Sequence, residues 1–291
     1  MLKNALKLLF FFIIVNLPIS MFSCEIASNS SKITVAGGSI TEILYFLKEE
    51  SRINAVDLTS NYPEETKNFP SIGYVRNLSA EGILSLKPTL IIGEDDMGPP
   101  SVIDQIKRTG VDIKILNETH SSDGIIKKIK CIGTIINERS KTDKLVNKLI
   151  IPLKQELDQV SSRLSEQNIK VMFILNMDSG SPVVGGNKTS ADGFINMIGA
   201  KNAFNSFDGW KPVGTESIIK ASPDYILISN RGSHSFEDLK ILADHPTVKY
   251  TPAAKNNNII ALDGMEMLGF GPRTIQTALK LSNKFLVKNN E

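Results

Sequence analysis

The segment SIGYVRNLSAEG, residues 71–82, places Tyr74 two positions before Arg76 in a polar stretch that follows a glycine. Residues two apart on an extended backbone face the same side, so the phenol and the guanidinium can be neighbours. A phenolate oxygen is a hard anionic donor that suits ferric iron. The obstacle is a reference pKa of about 10. A cation beside the ring and the ferric ion itself both favour the charged form. The same residues also fit a plainer role, a loop tyrosine that packs its ring and leaves its hydroxyl in water.

Two acids form a second candidate set. SAEGILSLKPTLII and GTESIIKASPDYILI both read glutamate, short helix, proline, strand, and Glu81 to Pro88 has the same seven-residue step as Glu216 to Pro223. Each glutamate stands near a helix start behind a polar residue able to cap, where it complements the helix dipole. If the two halves are related by approximate symmetry, the same carboxylates project from equivalent places and can dock onto arginines of a partner. AGGS (Gly37, Gly38, Ser39) ends a strand and opens a helix, where backbone N–H groups can meet an anion, or the glycines simply make the turn. Met97 in EDDMGPP, and Met265, Met267, Phe270 and Arg273 in MEMLGFGPR, lie in glycine-rich segments beside other elements. They fit either cleft lining or core packing. His120, His234 and His245 are scattered and read as surface or helix-end residues.

These residues must be held by a chain of 291 residues that opens with an export leader, MLKNALKLLFFFIIVNLPISMFSC. Its apolar run is short, and Asn16 and Pro18 interrupt it, so it reads as a leader over residues 1–24 and not as a membrane span. MFSC fits a lipidation box poorly, which leaves a lipid on Cys24 as the alternative to an ordinary leader. Removing Lys3 and Lys7 takes 33 basic residues to 31, against 31 acids. A near-neutral chain has no electrostatic basis for general nucleic-acid binding. Cys131 would then be the only cysteine well inside the mature chain, a buried helix residue, and the protein is expected to fold without an internal disulfide. About 265 residues suffice for two medium domains.

Short β-branched runs alternate with helical segments over residues 32–138 and again over 168–291, the rhythm of α/β lobes with mostly parallel sheets. KITVAGGS, RINAVDLT, TLIIGEDD and DIKIL read as strands of the first lobe. KVMFILNM, DYILIS and NIIALD read as strands of the second. Ser39 and Glu42 have capping-box spacing. Between the two lobes, residues 139–167 carry Leu145, Leu149, Leu153, Leu157, Val160 and Leu164 at steps of three or four, one long amphipathic helix that Pro152 bends. It bridges the lobes, or packs on one of them. No G-x-S-x-G elbow, P-loop or H-E-x-x-H is present, so no catalytic constellation is visible.

Taken in order and spacing, VAGGSITEILYFL, SIGYVRNLSAEGILSLKPTLII, EDDMGPP and LGFGPRT resemble the haemin-binding periplasmic proteins of bacterial ABC importers, of the HmuT/ShuT type. The resemblance covers the whole mature chain and is most specific in the block around Tyr74. It implies the class III periplasmic binding fold, α/β with two Rossmann-like lobes joined by a long backbone helix, holding ferric haem b in the cleft between them. It implies Tyr74 as axial ligand, Arg76 as its supporting donor, and Glu81 and Glu216 as the acids that meet an inner-membrane permease with its ATPase. It implies a monomer in the periplasm that captures and delivers haem and is not an enzyme. Gly37, Gly38, Ser39, Met97, Met265, Met267, Phe270 and Arg273 become cleft-lining candidates, and Arg231 and Lys188 candidates for the propionates. Some members hold a second haem through a histidine of the second lobe. The corresponding FILNMDSGSPVVGGNKT has none, which implies one haem. A ferric-siderophore or cobalamin binder of the same fold is the alternative.

Overall fold

The computed structural model describes residues 24–177, 181–229 and 239–288. Residues 1–23 of the expected 1–24 leader, and Arg231 and His234, lie outside the described residues.

The first lobe runs β1 (Ile33–Ala36), α1 (Gly38–Phe46), β2 (Ile53–Val56), α2 (Ala80–Ser85), β3 (Leu90–Glu94), α3 (Pro100–Lys107), β4 (Asp112–Leu116) and α4 (Ser122–Ile135). Its sheet has the order β2-β1-β3-β4 and is parallel throughout. Ile33, Val35, Leu90, Ile91 and Ile92 are fully buried. Such unbroken apolar runs are what parallel strands need when both faces of the sheet are covered.

A continuous helical rod follows, built of α5 (Arg139–Leu145), a π-turn at Val146–Ile150, and α6 (Ile151–Ser165). Pro152 lacks an N–H and crowds the carbonyl four residues back. The wider π-turn lies directly before it, a common way for a helix to absorb such a misfit. The extra residue in that turn changes the phase of the apolar stripe. Ile150 is buried and Leu149, expected on the stripe, is exposed, while Leu157, Val160 and Leu164 keep their places.

The second lobe comprises β5 (Lys170–Asn176), β6 (Val183–Gly185), α7 (Ser190–Met197), β7 (Lys201–Asn202), β8 (Trp210–Pro212), α8 (Thr215–Ala221), β9 (Tyr225–Ser229), α9 (Leu239–Asp244), α10 (Pro252–Lys255), β10 (Ile259–Leu262), α11 (Gly264–Leu268) and α12 (Pro272–Lys288). Its parallel strands run β7-β5-β9-β10, which repeats the order β2-β1-β3-β4 of the first lobe, with antiparallel β6 and β8 added beside β5. The internal repeat read in the sequence is therefore a repeat of topology.

The rod touches both lobes closely. A Cβ on Gly133 of α4 would stand 2.0 Å from Thr142 Oγ1, and one on Gly199, after α7, 2.2 Å from the Ser161 carbonyl oxygen. Helix α12 packs along α6, and one core joins Ile129 and Ile132 of α4 through Leu157 and Leu164 to Phe194, Tyr225 and Phe285. The rings of Tyr225 and Phe285 stack at 3.8 Å.

One expectation fails at the N-terminus. Cys24 and Cys131 form a disulfide, with Cα atoms 5.0 Å apart. Cys131 is a half-buried residue of α4, and the fold brings the start of the described chain against it. The chain thus carries an internal disulfide, which ties Cys24 to α4 of the first lobe.

Candidate ligand cleft

The Tyr74 segment is a loop tied down from beneath. Ile72 N–H donates to the Val56 carbonyl, Leu58 N–H to that of Gly73, and Gly98 N–H to that of Val75. Gly73, at φ 87°, turns the chain in the left-handed region where a side chain is strained. Val75 and Leu78 are buried in the first-lobe core, so the alternation of the segment sends Tyr74 and Arg76 outward. Tyr74 is 43% exposed. Arg76 Nη1 donates to its hydroxyl oxygen at 2.9 Å, while Arg76 Nη2 pairs with Asp96 Oδ2 at 2.6 Å. Partial burial works against the guanidinium charge, but Asp96 and then Tyr74 outweigh it and raise its pKa. The structure therefore joins Tyr74 and Arg76 and adds Asp96, which holds the arginine in place. EDDMGPP contained that residue, but nothing local marked it as the arginine's partner.

The start of α1 departs from the sequence reading. Gly37 N–H donates to Asp57 Oδ1 at 3.0 Å and Gly38 N–H to Thr59 Oγ1 at 2.9 Å, with Asp57 also accepting from Thr59 and Ser60. The helix end already has a carboxylate of its own, and Gly37, Gly38 and Ser39 are buried beneath it. The two glycine N–H groups are already engaged and present no free anion site. The capping box is absent too: Ser39 donates to Glu94, and Glu42 accepts from Arg273.

Beside Ser39 lies a buried charge cluster. Lys128 of α4 donates to Ser39 Oγ at 2.8 Å, pairs closely with Glu118, and reaches Glu94 and the Gly269 carbonyl at 3.5 Å. Burial raises the Glu94 carboxyl against the pull of Lys128 and Ser39. Burial also pushes Glu118 up to about 7, with Lys128 opposing and Glu94 adding to the shift. The sequence held one signal for this cluster, since Lys128 falls on the apolar face formed by Ile125, Ile129 and Ile132. His120 sits nearby, half-buried against the Phe270 ring at 4.9 Å and against Gly193 of α7. It stands at a helix end, directly before the Ser121 cap of α4, but touches both lobes rather than facing solvent freely.

Several expected lining residues are packing residues instead. Met97 is buried in the first-lobe core, its sulfur in the space a Cβ on Gly93 would need. Met267 and Phe270 are fully buried in the core that joins the lobes. Met265 is half-buried, with its terminal methyl against Gly38 and Gly269. Arg273 makes a bidentate contact to Glu42, pairs with Glu266 at 3.0 Å, and lies 3.6 Å over the centre of the Tyr62 ring. Tyr62, 46% exposed, and Leu58, 65% exposed, were missed. With Tyr74 they place large side chains in the open on loops beyond the end of β2, the carboxyl edge where α/β sheets bind ligands.

In the second lobe, exposed Lys188 pairs with Asp208 at 2.6 Å. Glu81 and Glu216 are both exposed in the first turns of α2 and α8. Ser79 caps α2, but Gly214 stands at the cap of α8 and contributes no side chain.

A sequence model described as periplasmic binding protein matches residues 33–265. The chain belongs to the periplasmic binding protein family. This periplasmic binding protein is similar to the solved periplasmic heme-binding protein RhuT from Roseiflexus sp. RS-1, at 33% identity and a TM-score of 0.78, with 88% of this chain and 98% of that one covered. It is also similar to the periplasmic heme-binding protein BhuT in complex with two hemes, at 30% identity and a TM-score of 0.79, covering 88% and 98%. Among curated relatives, the uncharacterized ABC transporter substrate-binding lipoprotein YvrC of Bacillus subtilis is 28% identical over 207 residues, 70% of this chain and 65% of YvrC. The vitamin B12-binding protein of Vibrio parahaemolyticus is 22% identical over 246 residues, 84% of this chain and 86% of that protein. The α/β architecture is that of class III periplasmic binding proteins. It is a solute-binding architecture and not that of an enzyme. Among the described residues no helix is long and apolar enough to cross a membrane.

Proposed function

We propose that this periplasmic binding protein captures ferric haem b between its lobes and delivers it to an ABC permease driven by its ATPase. The observation that carries this reading is the exposed Tyr74 with its oxygen already held by Arg76, which Asp96 fixes in turn. A phenolate at that place would accept from Arg76 and still have lone pairs for ferric iron. Leu58 and Tyr62 supply exposed apolar and aromatic surface for a flat macrocycle. Arg231 and Lys188 remain the candidate partners of the propionates. Tyr74 ligates one haem, and the protein works as a monomer. The two solved heme-binding proteins, at 33% and 30% identity over most of the chain, support haem as the cargo.

The vitamin B12-binding relative, aligned over 84% of the chain, supports a second reading in which the cleft takes a corrinoid. Titration of the purified protein with haemin, cobalamin and a ferric siderophore separates the readings. The haem reading expects a saturable one-to-one change with a high-spin ferric spectrum for haemin alone. Saturation with cobalamin and none with haemin would replace it.

A further inference from the structure

The sequence left Cys24 with two incompatible fates, and the fold bears on the choice. A lipid thioether and a disulfide both need the one sulfur of Cys24, and that sulfur is bonded to Cys131. The segment after Cys24 is largely exposed, but it is fastened at several points and does not form a free tether. Ala27 is buried in the core and its N–H donates to the Ile135 carbonyl at 2.9 Å. Ser28 N–H donates to Asp112, and Ser30 Oγ accepts from Arg52, which also reaches the Ile136 carbonyl. Only eight residues separate Cys24 from β1, and several are fastened to the end of α4 or to the edge strand β4. An acyl-anchored Cys24 would have almost no free chain between the bilayer and the folded lobe, and would leave Cys131 as an unpaired thiol in an oxidising compartment. The two cysteines are the full complement of the chain, so the pairing accounts for both.

We infer that Cys24 is retained on export as the disulfide partner of Cys131 and is not a lipid acceptor, so that the leader ends before residue 24 and the exported protein is free of a lipid anchor there. The bond forms by thiol–disulfide exchange with an oxidised dithiol carrier. The thiolate of one cysteine attacks a carrier sulfur to give a mixed disulfide. The other thiolate then displaces it, releasing the carrier as a dithiol, so two thiol protons are lost and two electrons pass to the carrier.

The test is intact-mass analysis of the full chain expressed in an exporting bacterium, with and without reduction before alkylation, alongside Cys24→Ser and Cys131→Ser. The expected wild type starts at or before residue 24, carries no acyl mass, and takes two alkyl groups only after reduction. Cys131→Ser is expected to take one alkyl group without reduction and still no lipid. Acyl mass on residue 24 in either protein, membrane retention that Cys24→Ser abolishes, or two thiols open to alkylation in unreduced wild type would each overturn the inference. So would an N-terminus beyond residue 24.

Discussion

Lys87 and Ser222 occupy the same backbone position in the two lobes. Each has φ 51° in the left-handed region, and each ends a short helix one residue before a proline and the strand beyond it. The register between them carries Glu81 onto Glu216 and the fully buried Ile83 onto Ile218. Both glutamates are thus set by the same local frame, with an isoleucine anchoring each helix two residues on. If they dock a permease, Glu81→Arg and Glu216→Arg should leave haemin affinity within about twofold while uptake in a reconstituted transporter falls on the order of tenfold or more, since reversing a rim charge opposes a complementary partner. Full uptake by the double variant would remove the docking role.

Tyr74→Phe keeps the ring and deletes the oxygen. We expect haemin affinity to fall by about tenfold or more, equivalent to about 1.4 kcal/mol, with loss of the high-spin ferric spectrum. Asp96→Asn should act more weakly, because it loosens Arg76 without removing the ligand. The measurement is an equilibrium titration read by absorbance, and an Asp96→Asn effect as large as that of Tyr74→Phe would relocate the binding determinant.

The central strands were legible because β1, β3, β5 and β9 are buried on both faces and so read as continuous apolar runs. The short strands β6, β7 and β8 were not, since two or three residues carry no period to detect. Tyr74 and Arg76 were legible as neighbours two apart. Asp96 and Asp57 were not, because each meets its partner only through the fold, Asp57 capping a helix that starts nineteen residues before it. Local spacing pointed instead to Ser39 and Glu42, both of which tertiary contacts had claimed. The π-turn and the disulfide were hidden for the same reason. The first answers a misfit inside the rod, and the second joins residues 107 apart in sequence.

The buried Lys128 cluster makes a prediction about pH. Glu118 titrates near 7 in the fold against 4.5 ordinarily, so between those values the folded state holds a proton that the unfolded chain has lost. Its contribution to stability therefore falls as pH rises through that window and levels off above it. Glu118→Gln imitates the protonated group. Denaturant unfolding at several pH values from 5 to 8 should show wild type losing stability relative to the variant as pH rises. Parallel profiles would mean that Glu118 stays charged throughout, with Lys128 neutralising it.

The Cys24–Cys131 bond closes a long loop and pins the N-terminal segment to α4. Cross-links of this kind restrict the unfolded chain and contribute about 2–4 kcal/mol. For a chain of this size that corresponds to a lowering of Tm by roughly 5–15 °C on reduction. Because Ala27 and Ser28 remain hydrogen-bonded beside the bond, the reduced protein should stay folded at room temperature, and because the Tyr74 loop lies on other elements, its haemin titration should match that of the oxidised protein. Calorimetry with and without reductant, and Cys131→Ser without it, reads the first effect. A variant that melts with wild type would show that packing alone holds the segment. A variant that melts early and also loses haemin would show instead that the disulfide supports the cleft as well as the fold.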